Sequence, residues 1–166
     1  MKNRYFIISF LVLLMASACR KDEPVINVHS GLTRIEYSVS DPFEMPHLEF
    51  SFKNTCDLSS HTQFAIEIMR TDESGRLNLM VMLEDEEGHM NDADPMLLTE
   101  DDIQIDETKS IRYDFDLLEY ELSVTGTNGV IDLSRIVKMH IYVNAGLSGV
   151  LGSGTFWIDR IEFIKP

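Results

Sequence analysis

Cysteine is scarce in this chain. Cys19 and Cys56 are the two in 166 residues, which excludes a disulfide-dense scaffold. Basic residues are also few: 14 Lys and Arg stand against 28 Asp and Glu, a net charge of -14. That balance argues against nucleic acid and anionic lipid as partners, and suits neutral ligands or cations. The five histidines, at 29, 47, 61, 89 and 140, show no His-x-x-x-His spacing. The glycine-rich stretch Gly146–Gly154 lacks the lysine and following helix of a phosphate loop. No nucleophile elbow occurs. The 28 acidic residues make carboxylate pairs common, and none stands out as the pair that glycoside hydrolysis needs. There is no internal repeat and no amphipathic pattern long enough for a substantial helix.

The N-terminus holds a different signal. Lys2 and Arg4 precede the apolar run Phe6–Met15, and Ala16, Ser17 and Ala18 follow it. This is the basic, apolar and small-residue order of a signal peptide, and the run is too short for a permanent span. Ala16-Ser17-Ala18-Cys19 resembles the lipobox of bacterial lipoproteins. Lys21-Asp22-Glu23 resembles the export signal of surface lipoproteins in Bacteroidota; a plain charged linker is the alternative for those three residues. The resemblance implies that Cys19 is lipidated and that the mature chain sits in the bacterial outer membrane, facing outward. It implies a leader over 1–18, a lipid-anchored tether over 19–30 and a domain over 31–166. With Cys19 acylated, Cys56 has no intramolecular partner and reads as a small buried hydrophobe.

Beyond the tether the apolar period is two. Ile35, Tyr37 and Val39 alternate with polar neighbours, as do Leu48, Phe50 and Phe52, then Phe64, Ile66 and Ile68. Leu77, Leu79, Val81 and Leu83 share one face, with Met80 and Met82 on the other. A strand apolar on both faces is covered twice or faces a groove. Further strands fall at "IQI" (103–105), at Ile111–Leu117, at Val137–Val143 with Val137, Met139, Ile141 and Val143 inward, and at the C-terminus. Residues Glu84–Asp102 form a long acidic loop. About eight short strands bounded by turn residues predict an all-β sandwich or barrel. In the last strand Phe156 and Ile158 fall out of phase with Ile161 and Phe163. A bulge at Asp159-Arg160 returns all four to the core.

The segments "LSRIVKMHIYVNAG" and "GSGTFWIDRIEF", with "LNLMVMLEDEEG" upstream, resemble galactose-binding-like jelly rolls, including carbohydrate-binding modules. The matching positions are Ile158, Asp159, Arg160, Ile161 and Phe163, and upstream Leu79, Val81, Leu83, Asp85 and Gly88. The resemblance implies a jelly-roll β-sandwich of two antiparallel sheets. It also implies a possible structural calcium at Asp159, where Arg160 replaces a frequent second acid. The alternative for Asp159 is a cap on the bulge.

Phase alone turns His140, Tyr142 and Asn144 away from the core, and Trp157 likewise. With 143 opposite 156 in an antiparallel pair, Tyr142 would lie beside Trp157. Met80 and Met82 extend such a face. It would either stack on the apolar side of a sugar ring or be covered as a second core. The expectation is a non-catalytic, surface-exposed lipoprotein that binds a glycan. The alternatives are a structural or protein-interaction subunit of a surface complex, and a small glycoside hydrolase.

Overall fold

The computed structural model describes residues 24–41, 44, 46–70, 77–91, 96–98, 111–116, 125–126, 129–143 and 151–165. The strands are β1 (Val25–Val39), β2 (His47–Cys56), β3 (Gln63–Arg70), β4 (Leu79–Asp85), β5 (Met96–Leu98), β6 (Ile111–Asp116), β7 (Thr125–Gly126), β8 (Gly129–Val130), β9 (Ile136–Val143) and β10 (Gly152–Ile164). One 3-10 turn, Leu133–Arg135, precedes β9. Two four-stranded sheets form, ordered β1-β10-β3-β6 and β2-β9-β4-β5, and β7-β8 is a separate small hairpin. Every pairing in the two large sheets is antiparallel. Strands close in sequence mostly fall in opposite sheets, which is the jelly-roll arrangement of a sandwich.

The period-two pattern accounts for the core. Phe64, Ile66 and Ile68 of β3 meet Leu79, Val81 and Leu83 of β4 and Met139, Ile141 and Val143 of β9 in one buried cluster. Phe156, Ile158, Ile161 and Phe163 are all buried in that cluster. The register shows how. Ile158 pairs with Ile68 and Arg160 with Glu67, so Asp159 is the extra residue. On the other side Ile158 pairs with Thr33 and Arg160 with Ser30. Gly31, in the matching bulge of β1, has φ of 103°. A side chain there would meet no neighbouring atom, so the need for glycine is one of backbone conformation.

Four sequence expectations change. The sandwich begins at Val25, not at residue 31, because Val25 and Ile26 already pair with Ile164 and Phe163. A second bulge, in β9, makes Ile136 rather than Val137 the buried residue: Lys138 pairs with Glu84 and Ile136 with Asp85. The acidic stretch after β4 is not wholly irregular, since it contains β5 and a bridge from Met90 to Glu84. Cys56 is fully buried and disulfide-bonded, rather than lacking a partner. The expected strand at 103–105, the tether before residue 24 and Cys19 itself lie outside the described residues.

Truncating Ile158 or Phe163 to alanine should each cost about 2–5 kcal/mol in urea unfolding, because both side chains leave a cavity in a closed core. A loss below about 1 kcal/mol for either would contradict the bulged register, since large-to-small changes at a truly buried site cost more.

Candidate functional site on the outer face of the β2-β9-β4-β5 sheet

Alternation in β9 sends Met139, Ile141 and Val143 inward and Lys138, His140 and Tyr142 outward. The flanking strands supply a row beside each. Tyr142 lies between His47 of β2 and Met80 of β4, His140 between Glu49 and Met82, and Lys138 between Ser51 and Glu84. Met80 and Met82 are buried and form a small apolar cluster with the partly buried Met90 and Tyr142. Here β4 is covered on both faces, one of the two outcomes its sequence allowed.

Rings gather over the first two rows. The His47 and Tyr142 centroids are 4.9 Å apart at 33°. Those of His47 and His140 are 5.6 Å apart, and those of His140 and Tyr142 are 6.1 Å apart and stacked. Polar groups lie alongside. His140 Nε2 donates to Glu84 Oε2 at 2.8 Å. Lys138 Nζ sits 3.6 Å from Glu49 Oε2 and 3.7 Å from Glu84 Oε2. For Glu49, burial works to raise the pKa, but the Ser51 hydroxyl, Lys138 and His140 outweigh it and hold it below the ordinary carboxylate value. The Tyr142 phenol is pushed up, first by burial and then by the charges of Glu84 and Glu49. It stays a hydrogen-bond donor at neutral pH. A half-buried ring with a donor at its tip, among carboxylates, an amine and imidazoles, can contact the apolar side of a sugar and bond its hydroxyls.

The turn after β4 borders this face, and Asp85 builds it. Asp85 is 2 % exposed. Its carboxylate accepts from the backbone N–H of Glu87 at 2.9 Å, of His89 at 2.8 Å and of Asp132 at 2.9 Å, and from His89 Nδ1 at 3.1 Å. The last backbone bond ties the turn to the segment entering β9. Nearby, Leu83 N donates to Asn91 Oδ1 at 2.7 Å, which holds the residue after Met90. The resemblance had picked out Asp85 and Gly88 as a strand-ending turn, and Gly88 has φ of 83°.

Trp157 is elsewhere. Strand β10 lies between β1 and β3, and β9 between β2 and β4. The expected Tyr142–Trp157 pair therefore does not form, because the two belong to opposite sheets. Trp157 is half-buried on the outer face of the β1-β10-β3-β6 sheet, opposite Arg34 and Met69. Arg34 is itself ion-paired with Glu36. His140, Tyr142, Met80 and Met82 do come together, and Asn144 lies outside the described residues. His47 and Glu49 were not anticipated as site residues. Their outward phase was readable from Leu48, Phe50 and Phe52, but the neighbouring strand was not.

Among the described residues, His47, Glu49 and His140 form a group able to hold a metal ion, with donor atoms within 4.8 Å of one another. Two imidazoles and one carboxylate do not match calcium, which takes six to eight oxygens. Asp159, the expected calcium residue, takes no part in this group. It sits half-buried at its bulge in the other sheet.

No protein-family model and no curated protein sequence matches the chain. Solved structures do. A carbohydrate-binding module specific for non-crystalline cellulose aligns with a TM-score of 0.53 at 12% identity, over 84% of this chain and 79% of that one. An agarase aligns at 0.55 and 16% identity, over 87% of this chain. An exo-β-agarase aligns at 0.52 and 14% identity, over 92% of this chain. The aligned parts make up 22% and 25% of those two enzymes. At such identities the likeness is one of fold, an all-β sandwich shared with that carbohydrate-binding module and with part of each agarase.

Asp85 gives this region a pH signature. Burial opposes its ionisation, yet the hydrogen bonds from Asp132, His89 and Glu87 outweigh burial and lower its pKa below the ordinary 3.8. Its stabilising contribution is therefore present above the unfolded-state value and is lost as pH falls through the folded-state value. Asp85→Asn should cost about 1.5–3 kcal/mol at neutral pH. The gap to wild type should close on acidification. A gap that stays constant in urea unfolding from neutral pH into the acid limb would refute this.

Proposed function

We propose that this chain is a non-catalytic, lipid-anchored surface protein that binds a neutral polysaccharide on the outer face of its β2-β9-β4-β5 sheet. The observation that carries the reading is the Tyr142 ring, partly buried on Met80 and Met82, beside His47 and His140 and flanked by Glu49, Glu84 and Lys138. The jelly-roll fold, and its likeness to a module that binds non-crystalline cellulose, support it. The net charge of -14 favours a neutral chain over a polyanionic one.

Binding without hydrolysis fits the electrostatics. Glycoside hydrolysis needs one carboxyl kept protonated by a raised pKa. Glu49 is held ionised instead. Lys138 Nζ, 3.6 Å from Glu49 Oε2, favours that ionised form.

Anchoring rests on the leader and on Cys19. Mass spectrometry of membrane-extracted protein should show an acylated N-terminus at Cys19. An unacylated chain would contradict the anchor. Replacing Lys21, Asp22 and Glu23 should lower protease accessibility on whole cells if they direct outward display.

Calorimetry with cello- and agaro-oligosaccharides tests the binding reading. Tyr142→Ala should weaken binding about thirtyfold or more, the usual loss for a central aromatic anchor. Trp157→Ala should leave affinity unchanged, since it lies on the other sheet. The reverse pattern would move the glycan to the β1-β10-β3-β6 face. Absence of binding to a broad glycan panel would favour a protein-interaction role.

A further inference from the structure

We propose that His47, Glu49 and His140 form a divalent transition-metal site, of the zinc class, on the same outer face. The strand register builds it. His47 and Glu49 are two apart on β2 and so face the same way. His140 on β9 pairs directly with Glu49. One donor atom of each lies within 4.8 Å of the others.

His140 supplies the second observation. It is 5 % exposed, and its Nδ1 is buried with no hydrogen-bond partner. Its Nε2 donates to Glu84 Oε2 at 2.8 Å. In the neutral imidazole that bond puts the proton on Nε2 and leaves the lone pair on Nδ1. A carboxylate holding the far nitrogen of an imidazole is the usual support of a metal-bound histidine. A buried lone pair that accepts from no protein donor costs stability unless a ligand satisfies it.

The donor chemistry selects the ion. Two imidazole nitrogens and one carboxylate suit zinc, nickel or copper, and three protein ligands leave a coordination position for water or a ligand oxygen. His47 and Glu49 are exposed and able to swing onto an ion, whereas His140 is fixed. Lys138 Nζ, 3.6 Å from Glu49 Oε2, occupies the neighbourhood as a competing cation. The site would make metal a second ligand of the glycan-binding face, but its metal affinity does not depend on a glycan.

The test uses the full untagged chain in mild detergent, titrated in calorimetry with zinc, and separately with calcium, in the absence of sugar. One equivalent of zinc should bind, with no comparable calcium binding. His47→Ala and Glu49→Gln, both surface changes, should abolish that equivalent. Glu84→Gln, a positioning change, should weaken it about 10–100-fold. Lys138→Met should tighten it. Cobalt in place of zinc should give the visible absorption of a four-coordinate site, which His140→Gln removes. No stoichiometric zinc binding by wild type would overturn the proposal. So would zinc binding that survives His47→Ala and Glu49→Gln, or calcium binding that displaces zinc.

Discussion

The alternation of β9, between β2 and β4, is the constraint on which the rest depends. Eight residues do two jobs. Ile136, Met139, Ile141 and Val143 close one wall of the core. Lys138, His140 and Tyr142 form the centre line of the outer face. The bulge at Val137 matters because strict alternation would place Ile136 and Lys138 on the same side. Inserting one residue there lets an isoleucine go in and a lysine go out. A second bulge, at Asp159 in β10, solves the same problem in the opposite sheet.

The outer face is a compromise between apolar and charged demands. Met80 and Met82 need cover, which Tyr142 and Met90 partly supply. Glu49, Glu84 and Lys138 lie on the same surface and must remain hydrated or paired. Aromatic area ringed by polar groups is what a sugar's two-sided chemistry requires. The turn held by Asp85 and Asn91 brings Met90 beside that patch, so a buried carboxylate one strand-end away supports the site without touching it.

Much of this was legible in the chain. The phase slip after Ile158 revealed the C-terminal bulge, because four apolar residues had to reach one core. The double-sided run from Leu77 to Leu83 marked a strand with a second apolar face, and Met80 and Met82 occupy it. The outward phase of His140 and Tyr142 was equally plain. Strand neighbours were not. Alternation states which face a residue takes and is silent on which strand lies beside it. Consecutive strands usually pair, and that expectation placed Trp157 next to Tyr142. A jelly roll sends such strands to opposite sheets. The same blindness hid His47 and Glu49, nearly a hundred residues from β9 in sequence and adjacent to it in space.

The central claim is that ligand docks on the β2-β9-β4-β5 face. An NMR titration of isotope-labelled protein with soluble β-glucan oligosaccharides reads it most directly. The account predicts that the largest amide shifts fall on His47, Glu49, His140, Tyr142 and Met80. Saturable shifts centred instead on Arg34, Trp157 and Met69 would contradict it.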